Sequence, residues 1–426
     1  MQIRRFQQSL KHNRTELIDA VYLILLQGVN QLLPIFVMPY LMKTLGATGY
    51  GYIGYSLSVI QYLTIVVDFG FNLSATKHIA QVADDEEARS RVFWNVVAAK
   101  SLLLGSTLLI LTLLVVFVPT FQVYGKAILA TAPMLVGSAF TFMWFFQGIG
   151  RIRMFSVLNT VSKLALLPLI FVFVKTSDDY VLAACLQALV FVSTALFSNL
   201  YLVRCKLVDW HLPKWQQVRR EIAVSFPLFL SSASTSVYTQ LIVVVLGFCC
   251  TTEEIGKYSS ADRIMRALCF LLYTPLSQVF FPRISMLAAK AREESLSLFR
   301  QVRALVLLVM VVLGVTMWMG SGWLPAFLGS DYAGLDVYLR IFALVPIAIG
   351  IGGVYGQMGL VALGNESTNR RFRDVYFLAA LAALVLMGVL IPLFHAVGAS
   401  IVVVATELIV ACLMVYNFKK YLSQCW

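Results

Sequence analysis

The chain has 426 residues, 60% of them hydrophobic and only 13% charged, with a formal net charge of +12. So apolar a composition excludes a soluble globular domain and points to an all-α, polytopic membrane protein. A net charge of +12 would also suit a nucleic-acid binder, but its distribution assigns it to membrane sidedness instead.

The N-terminus is basic (Arg4, Arg5, Lys11, Arg14), like the start of a signal peptide. The apolar stretch behind it, Leu17 to about Met42, contains no small-residue cleavage site and reads as a retained first helix. Similar stretches, each long enough to cross a bilayer, recur along the chain. Twelve spans are expected, near 17–42, 50–74, 92–118, 127–149, 155–174, 181–203, 222–248, 258–281, 304–324, 336–362, 374–393 and 397–418. With the spans alternating in direction, segments on the N-terminal side carry 24 Lys/Arg, while the other side carries only Lys43, Lys126, Lys175 and Lys257. This bias puts both termini in the cytoplasm. No outer loop exceeds about fifteen residues, whereas the cytoplasmic connectors near 204–221 and 282–303 are longer and basic. The acidic run Asp84–Glu87 before Arg89 and Arg91 reads as a solvated helix-capping loop.

Five basic residues remain inside the spans: Lys100, Lys163, Arg263, Arg266 and Arg340. A cation at the bilayer centre costs about 2.5–3.5 kcal/mol. Five facing lipid would cost on the order of 12–17 kcal/mol, more than a typical fold's net stability. They are expected to line a wet interior, and a cationic cavity implies an anionic passenger. Lys163 falls near mid-membrane and Lys100 toward the cytoplasm, with the three arginines in the outer half. Such a ladder suits a phosphate or diphosphate, to which arginine offers paired hydrogen bonds. Asp262 is a partner for one of the neighbouring arginines. Two carboxylates, Asp68 and Glu407, interrupt the ladder. Each has two readings, coupling to H+ or Na+ and structural counter-ion.

Polar residues recur at helical spacing. Ser156, Asn159 and Lys163 share one face of the fifth span, and Ser259, Arg263, Arg266, Tyr273 and Ser277 one face of the eighth. The hydroxyl run Ser231–Gln240 in the seventh lines a cavity or lets helices approach closely. Prolines inside many spans, among them Pro34, Pro39, Pro133, Pro168, Pro227, Pro275 and Pro346, permit kinks, either static or mobile. Gly51–Ser56 resembles Gly256–Ala261 at an offset of 205 residues, about half the chain. A parallel repeat and two six-helix bundles, residues 1–210 and 211–426, follow from it. The seven cysteines show no metal-ligand or disulfide spacing, and the four histidines are scattered, so no metal site, catalytic residue or cofactor is expected.

Several stretches resemble a known family. Leu32-Leu33-Pro34, Pro39-Tyr40-Leu41, Leu45-Gly46 and Gly49-Tyr50-Gly51 are similar to the opening of polysaccharide transporters. So are Asp68–Thr76, Trp144–Gly148, Phe281–Ser285 and Ala405-Thr406-Glu407 in their order. The match is to the O-antigen flippases of the multidrug/oligosaccharidyl-lipid/polysaccharide exporter superfamily. It implies twelve helices in two lobes around a central cationic cavity. The passenger it implies is an undecaprenyl-diphosphate oligosaccharide (the O-antigen repeat unit of lipopolysaccharide biosynthesis), moved from the cytoplasmic to the periplasmic leaflet of a Gram-negative inner membrane. The basic residues would then be substrate-binding. Candidate partners are membrane lipids, an O-antigen polymerase and a chain-length regulator, with no nucleic acid. One departure stands at Gly150, where relatives often carry an acid and this chain continues with Arg151 and Arg153.

The alternatives are a transporter of another lipid-linked or capsular unit and a cation-coupled drug antiporter of the same superfamily. The antiporter would be expected to have a cavity that attracts cations. A membrane glycosyltransferase or polymerase would need a sizeable outer domain, which these short loops do not supply, so no enzyme is expected.

Overall fold

The computed structural model describes the backbone of residues 2–425 and the side chains of residues 33–423 other than Ser231, Ala289 and Glu366. The basic side chains of Arg4, Arg5, Lys11 and Arg14 therefore lie outside the described residues, as does that of Ser231. All regular elements are helical, with no strand among the described residues. The chain opens on α1 (Gln2–Asp68), α2 (Phe71–Gln81) and α3 (Glu86–Phe117). Four short helices follow, α4 (Pro119–Val123), α5 (Gly125–Thr131), α6 (Pro133–Phe140) and α7 (Met143–Gly148), then α8 (Ile152–Phe173) and α9 (Tyr180–Arg204). The second half comprises α10 (Trp215–Ser236), α11 (Ile242–Cys249), α12 (Thr252–Lys290) and α13 (Arg292–Gly320). It ends with α14 (Trp323–Leu328), α15 (Leu335–Phe342), α16 (Val345–Gly352) and α17 (Glu366–Cys425).

Ten helical segments among the described residues are long and apolar enough to cross a membrane. Two helices are far longer than one crossing requires: α1 has 67 residues and α17 has 60. At about 1.5 Å per residue they would measure roughly 90–100 Å against a hydrocarbon core of about 30 Å. Each contains one non-helical residue, Gly46 (φ 66°, ψ 178°) in α1 and His395 (φ 52°, ψ −134°) in α17. Both fall where the sequence places turns. His395 Nδ1 lies 2.9 Å from the Cys249 carbonyl oxygen, a hydrogen bond that holds this strained residue.

Four expected spans are discontinuous. The second stops at Asp68, turns through Phe69 (φ 42°) and Gly70 (φ 79°), and resumes as α2 to Gln81. A Cβ on Gly70 would lie 2.9 Å from the Phe229 nitrogen and the Ser225 oxygen, so glycine is required there by both conformation and space. The fourth span breaks into α5, α6 and α7, with Pro133 opening α6. The seventh and tenth contain π-helical turns at Val237–Leu241 and Gly353–Val361, which re-aim the side chains that follow.

The chain forms two compact units. The first contains residues 1–41, 63–117 and 125–229. Its core is aromatic: Phe71, Phe93, Phe142, Trp144, Phe145 and Phe146 are buried together. Thr76 Oγ1 of α2 donates to the Trp144 carbonyl of α7 at 3.1 Å, so two of the family-like stretches pack on each other. The second unit contains residues 42–62, 118–124 and 230–426. There α1 crosses α12 at Gly51 and Gly256 with no room for a side chain at either. Tyr55 stacks on Tyr124 with ring centroids 3.9 Å apart.

Candidate functional site

In the first unit, α1 ends at Asp68 because the backbone turns left-handed at the next two residues. That leaves the Asp68 carboxylate at a helix terminus, facing a cavity of about 240 Å³. Asn72 from α2, Ser138 from α6, Asn159 and Lys163 from α8 and Thr194 from α9 complete its polar wall. Asn159 and Lys163, one turn apart, present the expected polar face of the fifth span. Ser156, on the same stripe, is not in the wall.

Lys100 sits differently from the sequence expectation. It is 1% exposed and stands behind the cavity, not in its wall. Its Nζ donates to Asp68 Oδ1 at 2.9 Å and to the Ser138 carbonyl at 3.1 Å, while Ser138 Oγ donates to the same Asp68 oxygen at 3.1 Å. Burial of the ammonium is offset by the ion pair and by one further acceptor, the Ser138 carbonyl. Asp68 is the counter-ion of Lys100 and, at 25% exposure, keeps part of its carboxylate open to the cavity.

The remaining site candidates belong to the second unit. Arg266 Nε donates to both oxygens of Asp262, at 2.9 and 3.0 Å, so this acid one helical turn away is a close counter-ion. Arg266 Nη2 is buried with no hydrogen-bond partner among the described residues. Glu407 is 9% exposed and within electrostatic range of Arg266 and Asp262. The Arg263 guanidinium lies over the Tyr50 ring, 5.7 Å from its centroid. Arg340, more exposed than Arg263 and Arg266, pairs with Asp336 at 3.3 Å and donates from Nε to Ser321 Oγ at 3.2 Å. Lys100, Arg266 and Arg340 each have a carboxylate beside them, so the ladder of positive charge is interrupted at Asp336 as well as at the acids expected from sequence.

The hydroxyl run of the seventh span turns inward on itself. Ser234, Ser236 and Thr239 donate to carbonyls one turn back in their own helix, at 2.8, 3.0 and 3.3 Å. In the eighth span, Tyr273 and Ser277 both donate to Gln357 Oε1, at 3.1 and 3.0 Å. Gln357 lies within a π-helical turn and was not singled out by sequence, nor were Asn72, Ser138 and Thr194. Asn72 carries a usable signal, since it follows Asp68 by four residues. The hydroxyls do not, because single serines and threonines are ordinary packing residues in membrane helices.

A protein of Escherichia coli (strain K12) named "Putative O-antigen transporter" is 30% identical to this chain over 397 residues, 93% of this chain and 95% of that one. Residues 17–288 match the family described as polysaccharide biosynthesis protein. The chain belongs to that family. Within the matched residues lie Asp68, Lys100, Lys163, Arg263 and Arg266, while Arg340 and Glu407 fall beyond them. The fold of this polysaccharide biosynthesis protein is shared with transporters of known structure. The lipid II flippase MurJ in its inward closed conformation matches with a TM-score of 0.71 at 12% identity, over 95% of this chain and 87% of that one. An inward-facing multidrug resistance transporter of the MATE family matches with a TM-score of 0.67 at 15% identity, over 92% of this chain and 95% of that one.

Proposed function

We propose that the protein is a flippase that moves an undecaprenyl-diphosphate-linked oligosaccharide, the O-antigen repeat unit, from the cytoplasmic to the periplasmic leaflet of the inner membrane. The observation that carries the reading is Lys163, a cation on a membrane helix in the wall of a cavity that Asp68, Asn72 and Asn159 also line. A cation held there suits an anionic passenger. The name of the Escherichia coli relative and the fold shared with a lipid II flippase support a lipid-linked sugar as that passenger.

The proposed topology has both termini cytoplasmic and twelve crossings, six on each side of residue 210, with α1 and α17 each crossing twice about Gly46 and His395. In this scheme Lys163, Arg263, Arg266 and Arg340 meet the diphosphate during its passage, and Lys100 acts through Asp68. Asp68 and Glu407 are the candidates for coupling to H+ or Na+. An O-antigen polymerase and a chain-length regulator are the partners such a product would meet.

Deletion of the gene, followed by mass spectrometry of membrane lipids, tests the reading. The expected result is accumulation of an undecaprenyl-diphosphate oligosaccharide on the cytoplasmic leaflet. No accumulation, with surface polysaccharide intact, would overturn it.

A further inference from the structure

A second cavity lies in the first unit, away from Lys163. It has a volume of about 500 Å³ and is built from α2, the start of α3 and the start of α10. Lys77, Arg91 and Arg220 supply three cations to its wall against one carboxylate, Glu221. Glu221 is 9% exposed and its Oε1 stands 3.0 Å from His78 Nδ1, so this acid is engaged by the imidazole. Arg91 bonds to the exposed Glu87, while Lys77 and Arg220 form no ion pair among the described residues.

The frame that carries these groups is fixed. Asn95 Nδ2 donates to Gln217 Oε1 at 2.7 Å, joining α3 to α10 inside the cavity wall. Ser74 and Ser225 share a hydrogen bond at 2.6 Å, joining α2 to α10. The connector between α9 and α10 is tied to α3 by Trp94 Nε1 donating to the Asp209 carbonyl at 2.9 Å and by the Asp209 N–H donating to Ser90 Oγ at 3.0 Å. Cations scattered over a cytoplasmic face are ordinary sidedness. Three cations around one concavity, with amides inside it and its acid already engaged, are a preorganised anion site.

We infer that this cavity is a loading site for a diphosphate headgroup, occupied before the lipid enters the membrane-buried passage. The inference rests on the flippase reading for its lipid source, while the anion chemistry stands on the cavity alone. Its size falls within the range of ligand pockets, about 300–1,000 Å³, and leaves space for a sugar beside the diphosphate. Lys77 and Arg220 are exposed, so a ligand reaches them from water.

The test is acylation of lysines by a soluble active ester on the full chain in nanodiscs of neutral lipid, read peptide by peptide by mass spectrometry. Farnesyl diphosphate is expected to slow acylation of Lys77 at least fivefold, with Lys420 of the other unit unchanged. Farnesol is expected to have no effect, and R91Q/R220Q to abolish the protection. Inorganic pyrophosphate separates the sources. Protection only at about tenfold higher concentration than farnesyl diphosphate supports a lipid-borne headgroup, and equal potency overturns the lipid source. Unchanged Lys77 acylation with both diphosphates, or equal protection by phosphatidylglycerol in the nanodisc, overturns the site. If Lys77 is unprotected while the deletion strain accumulates the lipid-linked oligosaccharide, this site fails and the flippase reading stands. If Lys77 is protected and the strain accumulates nothing, the flippase reading fails and an anion site remains.

Discussion

Gly51 and Gly256 meet backbone to backbone in the second unit: a Cβ on Gly51 would lie 3.1 Å from the Gly256 nitrogen, and one on Gly256 would lie 3.0 Å from the Gly51 nitrogen. The contact is reciprocal. The Gly51 Cβ would collide with the Thr252 carbonyl and the Gly256 Cβ with the Ala47 carbonyl. Ala47 and Thr252 are separated by the same 205 residues as the two glycines, so the contact is reciprocal between two stretches that resemble each other in sequence.

Alanine at either glycine must therefore push backbone against backbone, with no side chain able to yield. G51A and G256A are expected to lower stability by at least the 1–3 kcal/mol typical of overpacking. G54A is milder, because its Cβ would meet the Ser259 side chain, and S259G should relieve it. Thermal unfolding of the purified variants in detergent checks the ranking. Equal stability of G51A and the unaltered protein would refute the close crossing.

Lys100 and Lys163, the two lysines of the first unit expected within the membrane, should respond differently to substitution. K100A leaves the Asp68 carboxylate without its ammonium and is expected to cost about 3–5 kcal/mol, as breaking a buried pair does. K100M/D68N should be more stable than K100A, since neither charge then remains. K163A should reach the membrane at normal level yet export no polysaccharide, because Lys163 stands in the cavity wall. Quantitative blotting alongside surface-polysaccharide gels separates the outcomes. Loss of protein in K163A with normal export in K100A would reverse the assignment.

Most span positions are legible in the sequence because apolar length is a local property, and the turns at Gly46 and His395 fall between apolar runs. The interruption at Phe69–Gly70 is not legible as such. It depends on α10 approaching from more than 150 residues away, where Ser225 and Phe229 leave no space for a Cβ. The same limit explains the site. Residue type and depth mark Lys100 and Lys163 alike as costly cations, but only the fold shows Asp68, 32 residues upstream, satisfying one of them. Asp262, one turn from Arg266, is within reach of a sequence argument, and it pairs as helical spacing suggests.

Arg340 should be nearly neutral for stability. Its pair with Asp336 is half exposed, and such pairs contribute about 0.2–1 kcal/mol. R340A is expected to fold normally and, if the guanidinium meets the passenger's diphosphate, to reduce export, with R340K retaining part because charge survives without the planar fork. Export rates in cells expressing matched protein levels check this. Full export by R340A would remove Arg340 from the passage.

The long helix α17 gives the sharpest test of topology. Its 60 residues exceed the bilayer core about threefold, and its single non-helical residue is His395. Arg370, Arg371 and Arg373 lie near its start and Lys419 and Lys420 near its end, with no basic residue except His395 between Arg373 and Lys419. Positive charge favours the cytoplasm, so both ends are expected on that side and His395 on the other. Asn369 and Phe394 are exposed and suit labelling in a cysteine-free variant. An impermeant maleimide added to intact spheroplasts should label F394C but not N369C, and inverted vesicles should reverse the pattern. Labelling of both from one side would rule out two crossings by α17.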